Sequence, residues 1–430
     1  MSHAVPSVST PLLARVLAVL MAPAVLIFIS SNFVNVGNLA FNMIFSRLMG
    51  PELFGLLALL LTIKLSLLGL LGAVQTAVSK VVANLPDAEI SPMARRLSRV
   101  NQRLLAVGVV SVIPFAGFGL LWQGAPAFGL PDLHLLAVLI LALPFGASLS
   151  LLRGFALGQM DAKRIVISSN VEMIIRLVGA LLAWSLGFGI TGVVAAISVS
   201  IIAGWVVLMD MLPKRALKGL PIRPITTTVL IAAAPFALLQ LAQVLALDGE
   251  IFVARSLLPA SEVGFIAALS LVQRIQFFAC FALASVLLPG VVLAARRNEN
   301  LVGAVRPVAL LFGAVSIPLI VVALFKPTLI LGVLVGDAYF GAANALSYAV
   351  IAAVAFTFSY LAATFLAALD MRLGITLILG AAVMQMGALV ILAPATVLGV
   401  VQIKLAVQLV TALLIAVVSM RSARKYRAQV

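Results

Sequence analysis

The chain has 430 residues, of which 64% are apolar and 10% are charged, and its mean hydropathy is +1.25. Soluble domains carry about 25% charged residues, so this composition excludes a soluble globular protein and indicates one that crosses a membrane many times. The net charge of +15 does not indicate a nucleic-acid-binding protein, because in a membrane protein the positions of Lys and Arg matter more than their sum.

The apolar residues form continuous runs rather than alternating patterns, which predicts membrane-spanning helices instead of strands. A hydrocarbon core about 30 Å thick needs about 20 apolar residues per helix. Cutting the chain at Pro, Gly and charge clusters gives about twelve such segments. They are 16–46, 53–84, 104–123, 135–158, 164–186, 190–211, 226–255, 262–290, 303–325, 342–369, 373–393 and 398–420.

Lys and Arg are concentrated in alternate loops between these segments. The opposite loops carry only Arg47, Arg255 and Lys326. Because positive loops stay on the cytoplasmic side, we expect a multi-pass protein of the plasma (inner) membrane with both termini in the cytoplasm. An even number of helices agrees with that topology.

The segment 32–55 has a counterpart in the second half of the chain. Both 47–55 and 255–264 contain Arg, an apolar pair, Pro, an acid and Gly in the same order, and Gly55 and Gly264 lie 209 residues apart. Phe155 and Phe365, and Gly192 and Gly399, repeat with nearly the same offset. This spacing indicates a tandem duplication whose halves enter the membrane in the same sense.

The duplication predicts an all-α fold with two six-helix bundles. We expect an N-terminal bundle over 1–211, a basic cytoplasmic linker over 212–225, and a C-terminal bundle over 226–430 that ends in a basic cytoplasmic tail. Transporters built from parallel repeats place a cavity between the halves.

No pattern typical of an enzyme is found. His3 and His134 are far apart in the chain, and no Gly-rich phosphate loop with a Lys occurs. The single Cys280 lies within an apolar run, which excludes a disulfide framework and a thiolate metal cluster. We therefore predict no catalytic residue, no metal site and no cofactor.

Charged residues inside the predicted spans are the candidate functional residues, because an ionisable group at the bilayer centre costs at least about 2.5 to 3.5 kcal/mol. Lys64 and Arg274 are predicted cavity cations for an anionic substrate, and the alternative for Lys64 is a structural contact with another helix. Arg176 lies four residues after Glu172, so the two can also pair with each other. Lys404 is a further candidate cation.

Acidic residues at membrane depth are candidates for a coupling-cation site. Asp248 and Glu250 form the one closely spaced acidic pair at apparent membrane depth, and Glu172 is a third candidate. Such carboxylates can take up Na⁺ or H⁺. Two alternatives stay open for the pair: neutralisation by Arg255, or a position at a helix break beside Gly249 with water access.

Amide side chains form a polar stripe near the start of the chain. Asn35, Asn38 and Asn42 share one helical face, which Asn32 extends. With Gln75 and Gln273 they are predicted to line a cavity; the alternative is interhelical hydrogen bonding, worth on average about 0.6 kcal/mol each.

The segment 46–55, SRLMGPELFG, resembles the junction after the first helix in the polysaccharide-exporter branch of the multidrug/oligosaccharidyl-lipid/polysaccharide (MOP) flippase superfamily. The segments 153–159, 259–264 and 336–339 extend the resemblance. It implies a V-shaped pair of six-helix bundles, alternating access, and transfer of a polyprenyl-diphosphate-linked sugar unit from the inner to the outer leaflet.

The resemblance also determines the partners that we expect and the alternative functions that have to be considered. We expect a lipid-linked sugar as substrate, contacts with membrane lipids, H⁺ or Na⁺ as coupling ion, a polysaccharide polymerase or glycosyltransferases as partners, and a monomer that binds no nucleic acid. The alternatives are a cation-coupled multidrug exporter of the same superfamily and a non-transporting membrane component of polysaccharide assembly. The predicted cations at mid-membrane favour an anionic cargo over cationic drugs.

Overall fold

The structure, a computed structural model, describes residues 23–121, 133–213, 223–297, 300–369 and 371–429. All regular elements in these ranges are helices, which confirms the predicted all-α class. The start of the first predicted segment and most of the predicted linker, 214–222, lie outside the described residues. The α-helices are α1 (Pro23–Ala83), α2 (Asp87–Leu121), α3 (Leu133–Ile140), α4 (Leu143–Gly158), α5 (Ala162–Ser185), α6 (Gly189–Val206), α7 (Arg223–Asp248), α8 (Glu250–Leu257), α9 (Ala260–Arg296), α10 (Val302–Phe325), α11 (Pro327–Leu334), α12 (Ala343–Ala368), α13 (Leu373–Leu392) and α14 (Val397–Gln429), with a 3-10 helix, Asp337–Ala342, before α12.

Ten helical stretches of the described chain are long and apolar enough to cross a membrane, and α7 and α8 make an eleventh when this bent pair is counted as one span. The first stretch, Val25–Ala83, has 59 residues, which is about 88 Å at 1.5 Å per residue. It breaks at Gly50, and each arm is long enough to cross a core of about 30 Å by itself. Counted by arms, the described chain has the twelve spans that the sequence predicts, and it is a multi-pass membrane protein.

The break in α1 has a local cause. Pro51 lacks the backbone N–H that a continuous helix requires, and the preceding Gly50 has φ 69° and ψ 177°, a conformation outside the helical region that glycine adopts without steric cost. Pro51 then opens the second arm, where its missing N–H costs nothing. The predicted ends at 46 and 53 lie on either side of this break.

The contacts within the chain define two compact units. Unit 1 contains the described residues up to Asn38 together with Leu71–Leu120 and Ala137–Ala233. Unit 2 contains Leu39–Leu70, Ala234–Val430 and the described part of Leu121–Leu136. The units therefore divide α1 between them and do not follow chain order, and the predicted division at the 212–225 linker stays a prediction.

Within unit 1, α5 and α6 pack as an antiparallel hairpin through small residues. A Cβ on Gly204 of α6 would lie 3.3 Å from the Cβ of Glu172, and one on Gly179 of α5 would lie 3.4 Å from the Cβ of Ala196. Gly187 and Gly189 form the turn with φ values of 82° and 58°, where residues with side chains are strained. This close packing holds the polar face of α5 against α6.

Within unit 2, the core lies between α9, α12 and α14. Phe277 of α9 is fully buried, and its ring centroid lies 5.5 Å from that of Phe356 and 5.2 Å from that of Tyr360, both on α12. One turn before Phe277, Gln273 belongs to the polar cluster described below. The aromatic core therefore fixes the helix that carries that cluster.

The repeat-related glycines of unit 2 are in direct contact. A Cβ on Gly55 would lie 2.8 Å from the backbone N of Gly264, and a Cβ on Gly264 would lie 2.0 Å from the carbonyl oxygen of Pro51. Real Cβ atoms do not approach backbone atoms this closely. Both positions therefore require glycine because the second arm of α1 and the start of α9 touch backbone to backbone.

Gly264→Ala is expected to destabilise the protein by at least about 1 to 3 kcal/mol, the cost of overpacking a close-packed site, because neither backbone can give way like a side chain. The measurement is the thermal midpoint of the full chain in detergent, followed by size-exclusion chromatography. Gly380→Ala in α13 is the matched control, since nothing lies within 4 Å of its added Cβ and alanine favours a helix. Equal midpoints for the two variants would contradict the close approach.

The motif around Arg47 also ties elements of unit 2 together. The Arg47 guanidinium donates to the carbonyl oxygens of Gly332 at 3.1 Å and Val333 at 2.5 Å, close to the C-terminal end of α11. The Tyr339 hydroxyl, which is buried, donates to the carbonyl oxygen of Ser46 at 3.0 Å. Arg47 therefore stabilises the end of another helix, where unsatisfied carbonyls favour a cation.

Candidate functional site

One face of α5 carries a ladder of polar side chains into the membrane. Arg164, Ser168, Glu172 and Arg176 follow each other every four residues, so all lie on one face of the helix. Asp161 caps the start of α5, because its side chain accepts a hydrogen bond from the backbone N of Arg164 at 3.2 Å. We call Ser168, Glu172 and Arg176, with Arg153 and Asn38 that contact them, the unit 1 polar ladder.

Glu172 is held by an arginine from α4. Its Oε2 lies 3.0 Å from Arg153 Nη2, with both side chains about five-sixths buried. Arg153 also donates to Ser168 Oγ at 3.0 Å, and Ser168 donates to the carbonyl oxygen of Gly204 at 2.9 Å. Glu172 therefore has an ion-pair partner on another helix, Arg153, which the predicted pairing with Arg176 did not include.

Arg176 lies deep in unit 1 and reaches the predicted asparagine stripe. It is 9% exposed and donates through Nη2 to Asn38 Oδ1. Arg176 lies about 21 Å from the start of α5 and about 14 Å from its end at 1.5 Å per residue. Arg153, Glu172 and Arg176 together carry one more positive than negative charge, so this part of unit 1 presents an excess cation within the membrane.

A second polar cluster lies in unit 2, where α7 and α8 meet at Gly249 with a bend of 44°. Asp248 Oδ1 lies 2.7 Å from Arg274 Nε, and Glu250 Oε1 lies 2.6 Å from Lys404 Nζ. The predicted helix break is confirmed, but the water access expected there is not seen, since Asp248 is 3% exposed and Glu250 is 1% exposed. The alternative that named Arg255 as the neutralising residue missed these partners, which come from α9 and α14.

The Glu250–Lys404 pair is completely surrounded by protein. Both side chains are 1% exposed, and Lys404 also donates to the carbonyl oxygen of Leu247 at 3.0 Å and to Gln273 Oε1. Ser270 donates to Glu250 Oε1 at 3.1 Å. These contacts offset part of the cost of burying the two charges, but Glu250 Oε2 is also buried and has no hydrogen-bond partner among the described residues.

Amide side chains satisfy the backbone at the same bend. Gln385 of α13 donates to the carbonyl oxygens of Leu245 at 3.2 Å and Ala246 at 3.4 Å, and Gln408 of α14 donates to Gln385 Oε1 at 2.7 Å. Sequence reasoning did not identify Gln385. Its signal was a single amide in an otherwise apolar helix, a position that hydrocarbon disfavours unless a partner is present.

The two clusters separate the predicted cavity cations into two groups. Arg274 and Lys404 are each paired with a carboxylate, although no acidic partner was predicted for Arg274. The acid was missed because Asp248 lies on a different helix, 26 residues earlier. Arg176 differs from these two, because its cluster has two described arginines, Arg153 and Arg176, and one described carboxylate, Glu172. The cluster therefore has one positive charge in excess.

The other predicted residues lie as follows. Lys64 is buried, 5% exposed, within unit 2, and interacts with other groups, so its role as a cavity cation stays a prediction. Asn32 and Asn35 are exposed, whereas Asn38 and Asn42 are half-buried, as is Gln75. Of this set, Asn38 accepts a hydrogen bond from Arg176.

Comparison with known proteins identifies a family for the chain. A family model described as "Polysaccharide biosynthesis protein" matches residues 20–292. By sequence, no curated protein matches the chain.

Several solved structures share the fold. An inward-facing multidrug resistance MATE family transporter of the MOP superfamily is 16% identical over 92% of this chain and 96% of its own, with a TM-score of 0.71. Lipid II flippase MurJ in its inward closed conformation is 14% identical over 94% of this chain and 90% of its own, with a TM-score of 0.70. A MOP superfamily transporter from Pyrococcus furiosus is 16% identical over 94% of each chain, with a TM-score of 0.56.

At identities of 14 to 16%, these similarities establish a shared fold. They do not assign a substrate to this chain. With the family model, they confirm the resemblance that the segment 46–55 suggested. They also agree with the predicted polytopic helical architecture.

Proposed function

The chain belongs to the polysaccharide biosynthesis protein family, and on this premise we propose that it flips a polyprenyl-diphosphate-linked oligosaccharide across the plasma (inner) membrane. Transport runs from the inner to the outer leaflet by alternating access, with both chain termini in the cytoplasm. The chain performs no covalent chemistry on its substrate.

The observation that supports this proposal best is the excess positive charge of the unit 1 polar ladder. A diphosphate carries negative charge and several acceptor oxygens, and a guanidinium with a planar fork of donors binds such groups well. Arg176 provides that fork at membrane depth. Asn38 beside it offers an amide that can hydrogen-bond sugar hydroxyls or phosphate oxygens.

The unit 2 cluster speaks against the multidrug exporter. An exporter of organic cations would use free carboxylates at membrane depth, but Asp248 and Glu250 both form close ion pairs. Neutralised acids attract a cationic drug weakly, because the paired Arg274 and Lys404 repel it.

The proposal is tested by reconstituting the full chain in vesicles that contain a fluorescent polyprenyl-diphosphate sugar. Flipping is measured as the fraction of the label that an added membrane-impermeant quencher reaches over time. We expect the label in the inner leaflet to become accessible only in vesicles that contain the protein.

A parallel assay with ethidium measures drug export by the same vesicles, with H⁺ or Na⁺ gradients applied in turn. Ethidium transport that Asp248→Asn abolishes, without flipping of the lipid-linked sugar, would replace the proposal with the drug exporter. If the vesicles show neither flipping nor ethidium transport, the result would favour a non-transporting component of polysaccharide assembly.

A further inference from the structure

The surface of the α5–α6 hairpin of unit 1 carries an open apolar groove of about 480 Å³. Its walls include Ile175, Gly179 and Ala183 on α5 and Ala195 and Val199 on α6, with Phe188 at the turn end. Of the nine residues that line it, only Thr191 has a polar side-chain atom. The volume lies within the range of about 300 to 1,000 Å³ that is typical of small-molecule sites.

The groove exists because the facing residues are small. Gly179 faces Ala196, and Gly192 lies opposite Ala183, so the two helices come close without side chains that fill the space above their contact. Along α5 the groove extends from Ile175 to Ala183, about 12 Å at 1.5 Å per residue. The groove is therefore a short, open channel that is lined almost entirely by apolar residues.

The groove continues the face of α5 that carries the polar ladder. Gly179 and Ala183 follow Arg176 at i+3 and i+7, and Ile175 follows Glu172 at i+3, so charged and apolar parts lie on one side of the helix. The face therefore changes from cationic to apolar within one turn. That order matches an amphiphile with an anionic head and a long hydrocarbon tail.

We propose that the α5–α6 groove binds the polyprenyl tail of the lipid-linked substrate while Arg176 binds its diphosphate. This inference rests on the proposed function and adds a tail-binding site to it. The exposed Phe188 and Val199, 65% and 54% accessible, form the open edge through which the tail continues into the surrounding lipid. The groove binds the substrate tail in preference to the acyl chain of a bulk phospholipid, because the adjacent Arg176 binds the diphosphate head to which that tail is attached.

The test uses the full chain in phosphatidylcholine vesicles with a photoreactive benzoylphenylalanine in place of Phe188. The control carries the same amino acid at Leu186, which is 70% exposed at the same end of α5 but does not line the groove. With a tritiated long-chain polyprenyl diphosphate as probe, we expect labelling at position 188 to exceed that at 186 by about tenfold, a ratio that corresponds to about 1.4 kcal/mol.

Three further arms identify what occupies the groove. Unlabelled polyprenyl diphosphate is expected to suppress the labelling at 188, and an equal amount of phosphatidylglycerol to leave it unchanged. Arg176→Ala is expected to lower it by about tenfold, the loss of one charged contact. Equal labelling at 188 and 186, or suppression by phosphatidylglycerol, would overturn the tail site.

The flipping assay separates this inference from the proposed function. Normal flipping with no excess labelling at position 188 would refute the groove and leave the flippase intact. Specific labelling at 188 without any flipping would keep the groove and count against transport.

Discussion

Replacing Arg176 with alanine is expected to reduce polysaccharide export by about 10- to 100-fold while the protein still reaches the membrane. A hydrogen bond to a charged group contributes about 1.5 to 3 kcal/mol, and each 1.4 kcal/mol changes an equilibrium tenfold. After the substitution, Arg153 and Glu172 compensate each other, so the ladder loses its excess positive charge. The measurement is polysaccharide output in cells that depend on this chain, normalised to the amount of protein in the membrane.

Two further variants distinguish substrate binding from a structural role. Arg176→Lys keeps the charge but loses the planar fork, so we expect an intermediate loss of export. Arg164→Ala removes an arginine from the same face of α5, where its 40% exposed side chain pairs with Asp161 and Asp210, and such exposed pairs contribute little. Export that survives Arg176→Ala, or falls equally in Arg164→Ala, would contradict the assignment.

The architecture was predictable because its causes are local in sequence. The lengths of the apolar runs determine the spans, and the Gly50–Pro51 step marks the break in α1 because it removes a helical N–H and favours a positive φ. The repeat offset between Gly55 and Gly264 identified two residues that the structure then places in contact. The division into compact units was less predictable, because it depends on contacts distant in sequence and assigns Leu39–Leu70 to unit 2.

The sequence identified the charged residues of the candidate site but not the residues that pair with them. Hydropathy identifies Glu172, Arg176, Asp248 and Glu250 as costly residues in the membrane, yet it contains no information on which helix supplies the counter-charge. The sequence prediction counted Arg153, near the end of the segment 135–158, among the positive charges of the cytoplasmic side, whereas its side chain on α4 pairs with Glu172. Helix packing decides that pairing, and one sequence does not report it.

Lys404→Met is expected to destabilise unit 2 by about 3 to 5 kcal/mol, because it leaves Glu250 buried without its counter-charge. The only cysteine of the chain, Cys280, is fully buried on α9, about two turns after Gln273. The temperature at which a thiol-reactive dye labels the full-length protein in detergent therefore reports the opening of this unit. We expect that temperature to fall in the variant and to stay unchanged in Lys326→Met, whose side chain is exposed.

The double variant Lys404→Met with Glu250→Gln distinguishes the contribution of the ion pair to stability from the contributions of the other contacts of the two residues. One explanation for the cost of each single change is that it leaves one buried charge without its partner. In that case, removing both charges should restore most of the lost stability, since replacing a whole buried ion pair by uncharged residues often changes stability little. Additive losses would show instead that each residue acts through its other contacts, such as Leu247 for Lys404 and Ser270 for Glu250. Recovery in the double variant, with flipping retained, would mean that the unit 2 pair serves structure and that the anionic substrate depends on the charge of unit 1.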